Sequence, residues 1–432
     1  MNNTFRTLIL AIALGWVSTT PAADKPAGIA PVTFSRTSGD NKYVYAHFVT
    51  WFKTRERSGR WEMWNSDYAD ARHNPDEILE NGHRDVATTA YPLSDVYDTC
   101  DPDIMEYQFL LMKLAGVDGV IVDWDGRRIH SYRHEGLMTV LPYLQKYNLK
   151  LILCFEEWCG YWPKGTFADR DAEIKAAADE IRWMTENILD KPFYGTVGGR
   201  KPVLIFRKEP DQWFNLAEWT QLAPLLTDEG GALIFAEGFA MQFAPVCDGG
   251  YFWVGGGTLA NCEKNYKGFL TMNQDKARTQ PAFVFGSANP SFNDTPVWGW
   301  GGGPRISPDY HGARFNRTWE LSIEHKVDLV QLVTWNDWNE GTEIEPSDTF
   351  GYRYLESTKK YAAQYKGVSD HVPNETLRIP LRLLKARQKT AMLAESDRKT
   401  NLSKQLDQVH EALLAGDCQK AAQAMQAAES LL

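Results

Sequence analysis

Eight short apolar runs, each followed by polar or aromatic residues and often by a helix-like segment, constrain this chain more than any other feature. They fall at residues 44–49, 119–122, 151–155, 203–206, 233–236, 250–253, 282–285 and 329–333. Amphipathic stretches lie between several of them. Residues 103–114 carry apolar side chains at Ile104, Met105, Phe109, Leu110, Met112 and Leu114. Residues 171–187 open on acids and carry Ile174, Ala178, Ile181 and Met184. Strands alternating with helices imply a parallel sheet, and eight of them imply an α/β fold of the (β/α)8 TIM-barrel type. A doubly wound open sheet is the alternative. Its dinucleotide-binding form lacks support, because no Gly-x-Gly-x-x-Gly follows the first strand. The triplets at residues 255–257 and 301–303 lack the Lys-Ser/Thr ending of a phosphate loop and read as mobile glycine loops.

Active sites of such barrels lie at the C-terminal ends of the strands. There the chain places His47, Asp123 with Trp124, Glu156 with Glu157 and Trp158, Arg207 with Lys208, Glu237, Trp253, and Trp335 through Glu340. Paired carboxylates are the usual machinery for breaking glycosidic bonds, and tryptophan faces stack on sugar rings. The expected catalytic pair is Asp337 and Glu340. The expected substrate-binding residues are His47, Asp123, Trp124, Glu156, Glu237, Trp253, Trp335 and Trp338. At least two of the four tryptophans are expected to line an open groove as sugar platforms. Glu343 and Glu345 read as solvated or loop-bracing acids. No His, Cys or acidic spacing matches a metal site, and no cofactor is expected. A serine hydrolase is disfavoured, since no Gly-x-Ser-x-Gly occurs.

Two blocks carry a family resemblance. One runs from Tyr97-Asp98-Thr99-Cys100-Asp101-Pro102 to Ala115-Gly116-Val117-Asp118-Gly119 and on to Asp123-Trp124; the other is Trp335-Asn336-Asp337-Trp338-Asn339-Glu340-Gly341. From about residue 43 to about residue 356 the chain resembles glycoside hydrolase families 71 and 99. The resemblance implies a (β/α)8 barrel and endo-type hydrolysis of α-linked mannan- or glucan-type glycans. It also implies that Asp337 is the base and Glu340 the acid/base, with a carboxylate near Glu156 touching the sugar beside the cleaved bond. Family 99 carries Glu at the first position, one methylene longer than the Asp here. Deprotonation of the substrate's own 2-hydroxyl and activation of water with inversion therefore both stay open. A non-catalytic carbohydrate-binding protein with the same groove is the rival reading, and a polysaccharide lyase a weaker third.

The formal net charge of −10 argues against nucleic acid or anionic membrane as partner and suits an oligo- or polysaccharide. Protein partners cannot be read from the chain. Residues 1–23 read as a Sec-type signal peptide, with Arg6, an apolar stretch at 8–17 and small residues through Ala22 and Ala23. No Cys stands near the cleavage point, and no other run is long enough to span a membrane. Secreted or periplasmic location follows. The expected layout is signal peptide 1–23, catalytic barrel 24–372 and a C-terminal helical hairpin over 373–432. Six cysteines are few for this length; Cys247 and Cys262 could pair, and Cys154 and Cys159 flank a candidate site loop.

Overall fold

The computed structural model describes residues 42–66, 72–128, 130–157, 165–206, 214–238, 246–274 and 283–432. The expected leader, Trp158, Cys159, Arg207 and Lys208 lie outside the described residues. Eight parallel strands close into a barrel: β1 (Tyr43–His47), β2 (Gly119–Trp124), β3 (Lys150–Glu156), β4 (Lys201–Phe206), β5 (Ala232–Glu237), β6 (Gly249–Tyr251), β7 (Phe283–Ala288) and β8 (Leu329–Leu332). Around the barrel the order is β1-β8-β7-β6-β5-β4-β3-β2. Each strand overlaps one of the eight apolar runs. These runs are legible because a parallel strand is covered on both faces and so reads as nearly continuous Val, Ile and Leu.

Side chains along each strand alternate between two buried clusters. Tyr45, Ile121, Ile152, Leu204, Leu233, Phe235, Phe285 and Leu329 pack together inside the barrel. Val44, Val120, Leu151, Val203 and Val330, one residue away, pack with the helices outside. This alternation also fixes which residues at the strand ends can face the mouth.

The long helices that follow the strands, among the described residues, are α1 (Pro102–Leu114), α2 (Ser131–Tyr147), α3 (Arg170–Met184), α4 (Leu216–Thr227), α5 (Leu259–Gln274), α6 (Ala313–Glu324) and, after the last strand, α7 (Arg353–Lys366). Local chemistry starts several of them. Asp101 caps α1 by accepting from the Asp103 N–H, with Pro102 in the first turn. Asn215 and Glu218 form a reciprocal capping box on α4. The glycine triplet at 255–257, expected to be mobile, is tied down. The fully buried Arg314 of α6 donates to the carbonyls of Gly255 and Gly257, and the Gly257 N–H donates to Ser307. Cys262 is a buried free thiol, so the pairing with Cys247 that the sequence left open is not formed.

Beyond the barrel come α8 (Ile379–Ala391), α9 (Asp397–Leu414) and α10 (Cys418–Glu429). The expected hairpin thus has one more helix. The first helix stops after Ala391, and the next starts where the Ser396 side chain accepts from the Lys399 N–H. The buried Leu/Ala stripe joins these helices to one another and to α1. Two polar contacts secure that junction: Arg387 of α8 makes a two-pronged pair with Glu106 of α1, and His410 of α9 lies 3.0 Å from the Tyr147 hydroxyl of α2.

His410 supplies a test of this docking. Burial, aided by Lys146 and Arg387, lowers its pKa from 6.5 to about 4. The unfolded chain therefore binds the extra proton first as pH falls, and stability is lost between about pH 6.5 and 4, by roughly 3 kcal/mol. Thermal melts at pH 7 and pH 4.5 should show a larger acid-induced drop in the wild type than in His410→Gln. Equal drops would show that His410 does not govern the acid response.

Candidate active site

Strand alternation puts a defined set of residues at the barrel mouth. His47 lies two beyond Tyr45, Asp123 two beyond Ile121, Glu156 two beyond Cys154, Glu237 two beyond Phe235, and Trp253 two beyond Tyr251. All share the parity of the inner cluster. His47 is locked in place: its Nε2 is 3.0 Å from Gln331 Oε1, and Gln331 donates in turn to the Phe252 carbonyl. The other ring nitrogen stands 3.6 Å from the Asp123 carboxylate, and the Trp253 ring meets His47 edge-on at 4.7 Å. Glu156 pairs with Arg133, which also faces Asp125 at 3.5 Å and stacks over Trp51 at 4.4 Å. Glu157 turns away and straps the scaffold, accepting from the Phe214 N–H and the Trp219 indole N–H.

The loop after β8 carries Asp337 and Glu340 on a buried frame. The Asn336 side chain exchanges two hydrogen bonds with the backbone of Val49, at 2.9 and 3.0 Å. That joins the loop to the end of β1. Tyr97 is the second anchor. Its hydroxyl donates to Glu345 at 2.8 Å and accepts from the Trp338 indole at 3.0 Å and from Asn336 at 3.2 Å. The Asn339 amide donates to the carbonyls of Met63 and Ala87. Gly341 has φ +59°, and a Cβ there would stand 2.9 Å from Thr89 Oγ1, so the turn after Glu340 calls for glycine.

Asp337 and Glu340 are joined directly: the Glu340 N–H donates to Asp337 Oδ1 at 3.2 Å. Asp337 is nearly fully buried and Glu340 half-buried. Burial, with the Glu340 carboxylate beside it, pushes the Asp337 carboxyl well above the ordinary range, and Asp123 adds to the effect. The two groups therefore resist ionising together near neutral pH. One protonated and one ionised carboxyl is the state that acid–base cleavage of a glycosidic bond requires.

The tryptophan expectation needs correction. Trp124, Trp335 and Trp338 are fully buried and offer no face to a sugar. Trp124 has the outward strand parity and packs against Trp183 and His134. Trp335 donates its indole N–H to Gln108, and Trp338 donates to Tyr97. Of the four, Trp253 alone is partly open. The aromatic that does reach the acid pair is Trp300, whose indole donates to Glu340 Oε1 at 2.8 Å. It sits beside the second glycine triplet, and Trp298 and Trp300 both adopt left-handed backbone there. The alternation Trp-Gly-Trp-Gly was the available signal. Arg133 was also missed, because it lies inside α2 rather than at a strand end.

Glu345 does brace the loop, accepting from Ser94 as well as Tyr97, but it is buried rather than solvated. Burial pushes its pKa up to about 7 despite these donors. Among the described residues, no other residue donates a hydrogen bond to either oxygen of the buried Glu343. Burial, with Glu345 and Asp348 nearby, pushes it up to about 8.

Residues 39–370 match the model of glycosyl hydrolase family 99. A rat (Rattus norvegicus) glycoprotein endo-alpha-1,2-mannosidase is 21% identical in a gapped alignment 382 positions long that covers 75% of this chain and 75% of the rat protein. A human (Homo sapiens) glycoprotein endo-alpha-1,2-mannosidase-like protein is 20% identical in a gapped alignment 355 positions long that covers 73% of this chain and 70% of its own length. The solved GH99 endo-alpha-mannosidase from Bacteroides thetaiotaomicron superposes with a TM-score of 0.59 at 19% identity. That alignment covers 75% of this chain and 98% of the bacterial one, and it carries the barrel fold.

The buried Glu343 yields a second pH test, with the opposite sign to His410. An unfolded glutamate ionises near 4.5, whereas the folded one holds its proton to about 8. Stability is therefore highest below 4.5 as far as this group is concerned, and falls as pH rises to 8, by an amount on the order of 5 kcal/mol. Glu343→Gln removes the titration. Its melting temperature relative to the wild type should rise steadily from pH 5 to pH 8.5. A constant difference across that range would contradict the assignment.

Proposed function

The chain belongs to glycosyl hydrolase family 99, and from that premise we propose that it is an exported endo-acting glycosidase that cleaves α-mannosidic bonds within a mannan-type glycan. The observation that carries this reading is the Asp337–Glu340 pair, held at the barrel mouth beside Asp123 with its donors already aimed. Glu340 is the half-buried member and the one a leaving-group oxygen can reach. It acts as the acid that protonates this oxygen. The pair holds one proton between them, and the reactive form is the one in which Glu340 carries it and Asp337, ionised, is the base. Its raised proton affinity suits removal of a proton from a hydroxyl or from water. Glu156, oriented by Arg133, and His47, held by Gln331, supply fixed polar contacts to the sugar beside the bond. Trp253 and Trp300 are the aromatic faces left to meet the ring. The sequence features of residues 1–23 support export.

The rival is a carbohydrate-binding protein without turnover. A buried acid set beside a half-buried one that repels it costs stability and serves no purpose in simple binding, which favours the enzyme. Incubation with α-1,2-linked manno-oligosaccharides and an α-glucan control, followed by NMR, separates the readings. Internal cuts that release oligosaccharides are expected from the mannoside alone. Retention in the first-formed product supports the 2-hydroxyl route, and inversion supports water activation. Glu340→Gln should lower kcat by about 10²–10⁴-fold with little change in KM. Binding of the mannoside without any hydrolysis by the wild type would make the chain a binding protein. A Glu340→Gln variant with wild-type turnover would remove Glu340 from the role of acid.

A further inference from the structure

Lys53 and Cys100 lie in the segments that frame the barrel mouth, and the proposed chemistry uses neither. Lys53 is fully buried. Among the described residues, the Cys100 Sγ, at 2.7 Å, is the sole hydrogen-bond partner of its Nζ. A buried ammonium ordinarily sits against a carboxylate or carbonyl oxygens. Here the nearest carboxylate, Glu135, is 3.9 Å away and about half-exposed. The sulfur also contacts Thr139 Oγ1 at 3.4 Å, and Cys100 as a residue is half-buried. The nitrogen–sulfur separation is one that a single bridging oxygen can span with ordinary bond angles.

We propose that Lys53 and Cys100 are a site of covalent modification, forming an N–O–S crosslink when the protein meets hydrogen peroxide. The thiol sulfur attacks one peroxide oxygen; the O–O bond breaks, giving a sulfenic acid and water. The lysine ammonium yields its proton to Glu135, and the free amine attacks a second peroxide, giving a hydroxylamine and water. The hydroxylamine oxygen then attacks the sulfenic sulfur. The S–OH bond breaks, the hydroxyl leaves with the hydroxylamine proton as water, and the bridge closes. One thiol, one amine and two peroxides become one S–O–N bridge and three waters. The chain gains one oxygen and loses two hydrogens. The crosslink joins residues 47 apart in sequence, tying the segment after β1 to the turn before α1.

The experiment is peptide mass spectrometry of the full chain after hydrogen peroxide treatment, digested without reductant. The expected result is a joined species containing Lys53 and Cys100, one oxygen heavier and two hydrogens lighter than the two peptides together. Dithiothreitol should dissolve it. Lys53→Gln, which keeps the thiol, should lose the joined species and carry Cys100 on to sulfinic acid. The oxidised wild type should also melt higher than the reduced one, since closing this loop restricts the unfolded chain. Peroxide-treated wild type in which Cys100 is recovered as thiol, sulfinic acid or a disulfide, with no joined peptide, overturns the proposal.

Discussion

The Tyr97 hydroxyl holds the site together. The loop after β8 is buried along nearly its whole length, from Trp335 to Ser347. A buried loop must satisfy its polar groups internally, and several of those here converge on two residues. Tyr97 uses its one proton on Glu345 and takes protons from Trp338 and Asn336. Asn336 then fastens to Val49. One phenol therefore links the turn before α1, the end of β1 and the loop that carries the acids. The placement of Asp337 and Glu340 depends on that link, since neither is held by a strand.

The same frame explains why so many acids near the site carry raised proton affinity. Asp337, Glu343 and Glu345 are all nearly or fully buried within nine residues of one another. Each is more easily kept neutral than charged there, and like charges compound the effect. For Glu345 the donors of Ser94 and Tyr97 offset part of the cost. For Asp337 the raised affinity matches the work assigned to a base. Glu343 has no such use, and among the described residues no other residue donates to it, so it stands as a stability cost above neutral pH.

The strands were legible because burial on both faces leaves little choice of residue, and strand-end acids such as Asp123 and Glu156 follow from alternation once the strands are placed. The helix starts were legible for a similar reason, as in the Asp101-Pro102 opening of α1. The tryptophans were not. An indole serves equally as a sugar platform or a core filler, and Trp335 and Trp338 fill the core because Gln108 and Tyr97 supply acceptors for their N–H groups. Those partners lie more than 200 residues away in sequence, beyond any local pattern. Trp300 escaped because its backbone enters left-handed space beside glycines, in a stretch that reads as a flexible loop. Arg133 escaped because helix periodicity gives no hint that an arginine points into the mouth.

The most direct measurement is steady-state kinetics of Tyr97→Phe on an α-mannoside substrate, alongside its thermal melt. The substitution removes one oxygen and leaves Trp338, Asn336 and Glu345 short of a partner, at a cost of roughly 1–3 kcal/mol each. If the phenol positions the acid-bearing loop, kcat should fall at least about tenfold at a temperature where the variant is fully folded, with KM changed much less. A variant that melts lower yet keeps wild-type kcat would contradict the account, placing the acids by some other means.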